Sequence, residues 1–194
     1  MSVRTIRVWP DPALSVVAKP VALVDEGIRQ LVDDLFATMY RANGVGLAAT
    51  QVAEPVRVLV IDLDPKGHAA EDEEVRAELE SWGYAGPRVY INPEIVAADG
   101  SISWDEGCLS VPGIVETVRR KGEVTVRALD REGQLFEVHV TGLYAVALQH
   151  EMDHLDGHVF VEYLSKLKRD VIRRKMARVK QEHQNDGVAA AAAL

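Results

Sequence analysis

The sequence predicts an α+β fold, with antiparallel strands packed around a central helix, one helix before them and another after. Three observations carry this prediction. Helical and strand periodicities follow one another as helix, strands, helix, helix rather than alternating, which excludes regular βαβ winding. Two segments near residue 130 alternate apolar and polar side chains on either side of a short turn. No internal repeat or linker divides residues 1–180, so they are read as a single domain, long enough to bury roughly two thirds of the surface of the unfolded chain.

Each element has its own signal. In "DEGIRQLVDDLFATMYRAN" (25–43), Ile28, Leu31, Val32, Leu35 and Met39 fall on one helical face. Acids stand at its start, and Asn43-Gly44 suits a left-handed stop. "VRVLVID" (56–62) is rich in β-branched residues and reads as a strand. "RVYINPEI" (88–95) reads as another that ends at its proline. "EDEEVRAELE" between them carries six acids and one base, the composition of a solvated helix or a mobile insertion. "EVTVRAL" and "LFEVHVT" alternate with period two and flank "DREG", which predicts a β-hairpin. Gly142 to Leu155 is the central helix, ended by Gly157. A last helix spans 164–180 with Leu164, Leu167, Val171, Met176 and Val179 along one side.

Composition narrows the function. Hydrophobic residues at 47% and charged residues at 27% suit a globular protein in water, and no apolar run reaches the roughly 20 residues a membrane span needs. The N-terminus lacks the apolar stretch and small-residue site of a secretory signal, so a cytoplasmic location is expected. One cysteine, Cys108, excludes an internal disulfide. The net charge of −8 is uneven: residues 166–180 hold eight of the 22 basic side chains and one acid, leaving +7 there and −15 elsewhere. An acidic body argues against broad nucleic-acid binding, and no sequence-specific nucleic-acid partner is expected, although the basic end can meet a phosphate-rich partner locally. The stretch "DGVAAAAAL" is low in complexity, and residues 181–194 are excluded from the domain as a tail.

The chemistry is concentrated in "HEMDH" (150–154) on the central helix. Positions i and i+4 share a face, so His150 and His154 can aim ring nitrogens at one point, and Leu143, Val146 and Ala147 place that point against the core. Glu151 is rotated by about 100° from His150 and borders the site without joining the ligand stripe, as a general base should. The third ligand decides the class. A thermolysin-like peptidase takes a downstream glutamate and a metzincin a further histidine after a glycine. His158, past Gly157, fits neither spacing and reads as structural. The lone Cys108 in "EGCLS" (106–110) remains, and a thiolate is a strong ligand for zinc or ferrous iron.

"GVGLAATQ" (44–51), "EGCLS" and "HEMDH", in this order, resemble the three motifs of the peptide deformylases, and the resemblance extends over about residues 2–180. It implies hydrolysis of the N-terminal formyl group from new polypeptides, with release of formate. Cys108, His150 and His154 would hold one divalent ion per chain and leave its fourth position to water, with Glu151 moving the proton. The resemblance favours Fe2+ in the cell, with Zn2+, Ni2+ or Co2+ in preparations. It gives Gln51, through its side-chain N–H, and Leu109, through its backbone N–H, the task of stabilising charge on the carbonyl oxygen. Gly44 and Gly46 permit close backbone approach, so a peptide can lie along this loop as an added strand against Val45. The family's preference for methionine implies an apolar pocket near Val45, Gly46 and Val146. Glu106 and Arg120 resemble the family's carboxylate and arginine flanking the cysteine motif, whose pairing would order that loop, and on sequence alone a surface pair worth little fits equally well.

Two features depart from the family: an acidic insertion between Asp64 and Arg88 that is longer than in many members, and Val115 where some relatives carry a basic substrate contact. The helix 164–180 is similar to the family's helix that docks on the ribosome, a partner alongside the formyl-methionyl chains, and its charge run fits a merely solvated amphipathic helix equally well. Two other functions fit the residues alone. One is a metallopeptidase or another amidohydrolase; the other is a ribosome-binding module whose metal is structural.

Overall fold

The computed structural model describes residues 1–185. Its elements are α1 (Glu26–Arg41), β1 (Gly46–Ala48), β2 (Val58–Ile61), α2 (Glu73–Ser81), β3 (Arg88–Asp99), β4 (Ile102–Gly107), β5 (Val115–Arg120), β6 (Glu123–Leu129), β7 (Leu135–Thr141), α3 (Gly142–Leu155) and α4 (Lys166–Asn185). Five strands form an antiparallel sheet in the order β1-β2-β3-β6-β7, and β4 pairs with β5 as a separate ribbon. The expected α+β class, with antiparallel strands, is the class observed.

The layers follow from side-chain parity. Successive residues of a strand face opposite sides. In β2, Leu59 and Ile61 pack with Tyr144, Leu148 and Leu155 of α3, while Val58 and Val60 pack with Leu31, Val32, Leu35 and Met39 of α1. This strand is covered on both faces, which is why "VLVI" carries no polar alternation. Helix α1 starts as expected, with the Asp25 carboxylate accepting from the Ile28 N–H at 3.0 Å. Asn43 alone takes the left-handed conformation that ends it, at φ 55°. Helix α3, predicted to its observed limits, is buried along nearly its whole length, so it can carry polar groups into the interior.

A third cluster joins the two ends of the described chain. Trp9 and Leu14 pack with Val118 of β5, Phe160, and Ile172 and Met176 of α4. The preceding segment is laced down by Arg7 N–H to Gln51 O (2.7 Å) and Trp9 N–H to Ser110 O (2.9 Å).

Three expectations need correction. Strand β3 does not end at its proline: it passes Pro93 and runs to Asp99, with its register against β6 shifting between Ile91 and Glu94. The shift is a bulge at Asn92, whose φ is 53° and whose side-chain amide binds both the N–H and C=O of Val21 at 2.8 Å. The buried side of α4 is Ile172 and Met176, with Val179 partly covered, whereas Leu167 and Val171 are exposed. That helix also continues to Asn185, past the expected boundary at 180, and the remaining tail lies outside the described residues. The acidic segment takes the first of its two expected forms, a solvated helix with Leu79 alone buried, and it is docked at its end: Thr141 N–H donates to Trp82 O at 3.1 Å, and the Trp82 ring lies where a side chain on Gly142 would stand. Strands β1, β4 and β5 carry no expectation from the sequence.

Candidate metal centre

Three elements deliver the chemical groups. Ribbon strand β4 ends at Gly107 and hands Cys108 to the turn that follows. Helix α3 presents His150, Glu151 and His154, and the edge strand β1 lays Gly46 over them. Cys108 Sγ and one ring nitrogen from each of His150 and His154 all lie within 4.8 Å of one another, with Sγ 3.2 Å from His154 Nε2. Cys108 is half-buried and the imidazoles are buried. Among the described residues this is the one cluster of histidine, cysteine and carboxylate groups compact enough to hold a metal ion. His158 stands apart, its Nδ1 2.9 Å from Glu162 on the surface.

The surroundings drive the two imidazoles apart in charge. Burial opposes charging His150, but the neighbouring Cys108 sulfur and Glu106 carboxylate outweigh it and raise its pKa well above the ordinary value. Burial, with His150 and Arg120 nearby, pushes His154 well below, so this ring is a neutral donor. The His150 Nδ1 lies 2.8 Å from Glu106 Oε2. Glu106 is in turn gripped by Arg120 through Nε (2.7 Å) and Nη2 (2.9 Å). Burial works to raise the Glu106 pKa, yet Arg120 and His150 together lower it, so the carboxylate stays ionised and assigns the imidazole proton to Nδ1. With its single proton held on Nδ1, the neutral ring that a ligand requires would offer Nε2 to the ion. A sulfur and two imidazole nitrogens suit zinc and ferrous iron alike, so the residues fit the ion.

Glu151 is buried, with Oε2 lacking a hydrogen-bond partner. Burial, reinforced by Glu106 and partly offset by His150, raises its pKa to about 7. A carboxyl poised there exchanges protons readily at neutral pH. Gly46 is glycine for a packing reason, since a Cβ there would stand 2.5 Å from Glu151 Oε1. A Cβ on Gly44 would stand 2.7 Å from Leu109 Cδ1.

Eight of the predicted residues, Gly44, Val45, Gly46, Gln51, Cys108, Leu109, His150 and Glu151, line one cleft of about 290 Å3, while His154 lies buried behind its surface. Gln51 accepts from Ala48 N–H at 2.8 Å and turns its Nε2 to Ser110 Oγ (3.1 Å) and Cys108 Sγ (3.6 Å). Val146, buried one turn before His150, is not among the lining residues. The cleft takes an apolar wall from Val111, Ile114 and the exposed Val115. Glu106 and Arg120 form a buried pair rather than a surface one. Sequence reasoning missed Ser110, Val111 and Ile114. The serine, last residue of "EGCLS", donates its N–H to Cys108 Sγ at 3.4 Å, and only its place in that motif pointed to it.

A carboxyl that exchanges protons near neutrality, set beside a cation site at the floor of a cleft under a free strand edge, has hydrolysis as its chemistry, and the protein is a hydrolase by class. Comparison with known proteins makes the class particular: the chain belongs to the polypeptide deformylase family, whose profile matches residues 3–170. It is 49% identical to a peptide deformylase of Azotobacter vinelandii over 184 residues, covering 94% of this chain and 99% of that one. It is 51% identical to one from Cellvibrio japonicus over 177 residues, 91% of this chain and 95% of the other. The crystal structure of a peptide deformylase from Legionella pneumophila superposes with a TM-score of 0.82 at 43% identity, covering 94% of this chain and 98% of that one. No helix among the described residues is long and apolar enough to cross a membrane.

Proposed function

We propose that this enzyme removes the N-terminal formyl group from formyl-methionyl nascent polypeptides in the cytoplasm and releases formate, as one catalytic domain that includes α4. The observation that carries the reading is the convergence of Cys108, His150 and His154 beside the buried Glu151. When bound there, a divalent ion, Fe2+ in the cell and Zn2+, Ni2+ or Co2+ in preparations, supplies Lewis acidity and makes water a nucleophile at neutral pH.

The chain's own residues do the rest. The peptide extends β1 as an added strand, with Val45 and Gly46 against its backbone and the methionine side chain against the apolar wall. Glu151 takes a proton from the attacking water and returns it to the peptide nitrogen as the C–N bond breaks. Negative charge on the formyl oxygen is met by a Gln51 side-chain N–H and the Leu109 backbone N–H. Losing one such donor costs on the order of 3 kcal/mol, about a hundredfold in rate. Glu106, held by Arg120, keeps His150 in its ligand tautomer. The exposed basic residues of α4 make a contact with ribosomal phosphate near the source of the substrate.

The test is an assay of formyl-methionyl peptides against acetylated and internal-amide peptides. Formate release from the first alone is expected, and cleavage of the others without formate overturns the reading. Glu151→Ala should keep fold and metal while rate falls by roughly three or more orders of magnitude. A purely structural metal would leave every activity of that variant intact.

A further inference from the structure

Arg120 does not stop at Glu106. Its Nη1 donates to Asp153 Oδ2 at 2.5 Å, on the opposite edge of the guanidinium from the two bonds to Glu106. Asp153 is reached from outside by the Tyr163 hydroxyl at 3.1 Å on Oδ1, and the Tyr163 ring lies over the guanidinium with its centroid 4.8 Å from Cζ. The Arg120 side chain is 4% exposed and that of Asp153 is 20% exposed. Tyr163 itself stands at the surface.

These contacts close a circuit. His150 and Asp153 lie three residues apart on α3, Glu106 is on β4 and Arg120 on β5. Starting at the His150 ring, the path runs through Glu106 and Arg120 to Asp153 and back along α3. Glu106 Oε2 accepts both His150 Nδ1 and Arg120 Nη2, so any rotation of the guanidinium drags the carboxylate off the imidazole. Glu106 alone grips one edge and leaves the plane free to swing about that edge. Asp153, pulling on Nη1, fixes it, and Tyr163 fixes Asp153 while covering the cation.

We propose that Asp153 and Tyr163 are positioning residues of the metal centre, which act through Arg120 and Glu106 to lock the His150 ring and slow the loss of the ion. The role rests on metal ligation by Cys108, His150 and His154 and not on the identity of the substrate. Partners that orient a ligating histidine are commonly worth ten- to a hundredfold in metal affinity, and these stand one step farther out.

The test uses the full chain loaded with Co2+, which reports its ligand geometry through its visible absorption bands, and follows release of the ion to a chelator. Asp153→Asn is expected to release Co2+ about tenfold faster, with shifted bands, and Tyr163→Phe about threefold faster. Asp156→Asn is the control. It deletes a carboxylate at the same end of α3, one paired with Arg57 at 2.7 Å and outside the circuit, and should release Co2+ at the parent rate. Unchanged release and bands in Asp153→Asn overturn the proposal, as does an equal effect in Asp156→Asn. Should Asp153→Asn fail to fold, Tyr163→Phe decides, and a parent-like rate there overturns it. A parent protein that binds no Co2+ removes the metal reading itself, which separates that failure from failure of the circuit.

Discussion

Burial and catalysis pull Glu151 in opposite directions. Its carboxyl would ionise near pH 4.5 in the unfolded chain and does so at about 7 in the fold. The folded state therefore holds the extra proton, and the stability this contributes is fully present below pH 4.5 and is lost as pH rises to about 7. The loss amounts to roughly 3 kcal/mol for a fully buried group. In metal-free protein, Glu151→Gln should accordingly gain on the parent as pH rises from about 4 to about 8. Urea unfolding at several pH values reads this directly, and a difference that stays flat contradicts the assignment. The neighbouring Gly46 makes a second residue-level prediction. A Cβ placed 2.5 Å from Oε1 must displace the carboxylate, so Gly46→Ala should lower kcat by about a hundredfold while metal content holds. Steady-state kinetics with elemental analysis separates these outcomes.

The strands and helices divide by how local their causes are. Helices α1 and α3 are legible because their caps and apolar faces lie within one segment, and the β6-β7 hairpin because its turn residues sit between two alternating runs. Strand β1 is not, since "GLA" is three small or apolar residues whose strand character comes only from pairing with β2. Ribbon β4-β5 carries acids and arginines where alternation is sought, and its pattern serves the Glu106–Arg120 pair rather than a sheet core. The passage of β3 through Pro93 depends on Asn92 binding Val21, 71 positions away, a partner no local window contains. Asn92→Ala should therefore cost more than an ordinary surface change. About 1 kcal/mol comes from left-handed backbone and about 1 from each of the two hydrogen bonds removed, roughly 3 in all. Thermal unfolding is expected to drop by about 6–12 °C, and a fall of about 1 °C would show that the bulge holds without the side chain. The same division governs the site: the motif residues announce themselves, whereas Ser110, Ile114 and the Asp153 link to Arg120 emerge only when separate elements meet.

At the scale of the molecule, charge is sorted: residues 166–180 carry +7 against −15 on the rest. Neutralising Lys166, Arg174 and Arg178, all exposed on α4, to glutamine should spare turnover of small formyl peptides. It should weaken ribosome binding, with the slope of log affinity against log salt falling by about 0.7 to 0.9 for each phosphate that the helix no longer neutralises. Cosedimentation across a salt series measures both, and binding indifferent to salt would place the docking surface elsewhere.

Trp9, near the beginning, is packed beneath Ile172 and Met176, near the end, with Arg173 over its ring. The strap that supports Gln51 and Ser110 thus takes part of its cover from α4, at the other end of the described chain. Disturbing α4 should therefore be felt at the far side of the cleft, passed on through Trp9 to the backbone that holds Gln51 and Ser110.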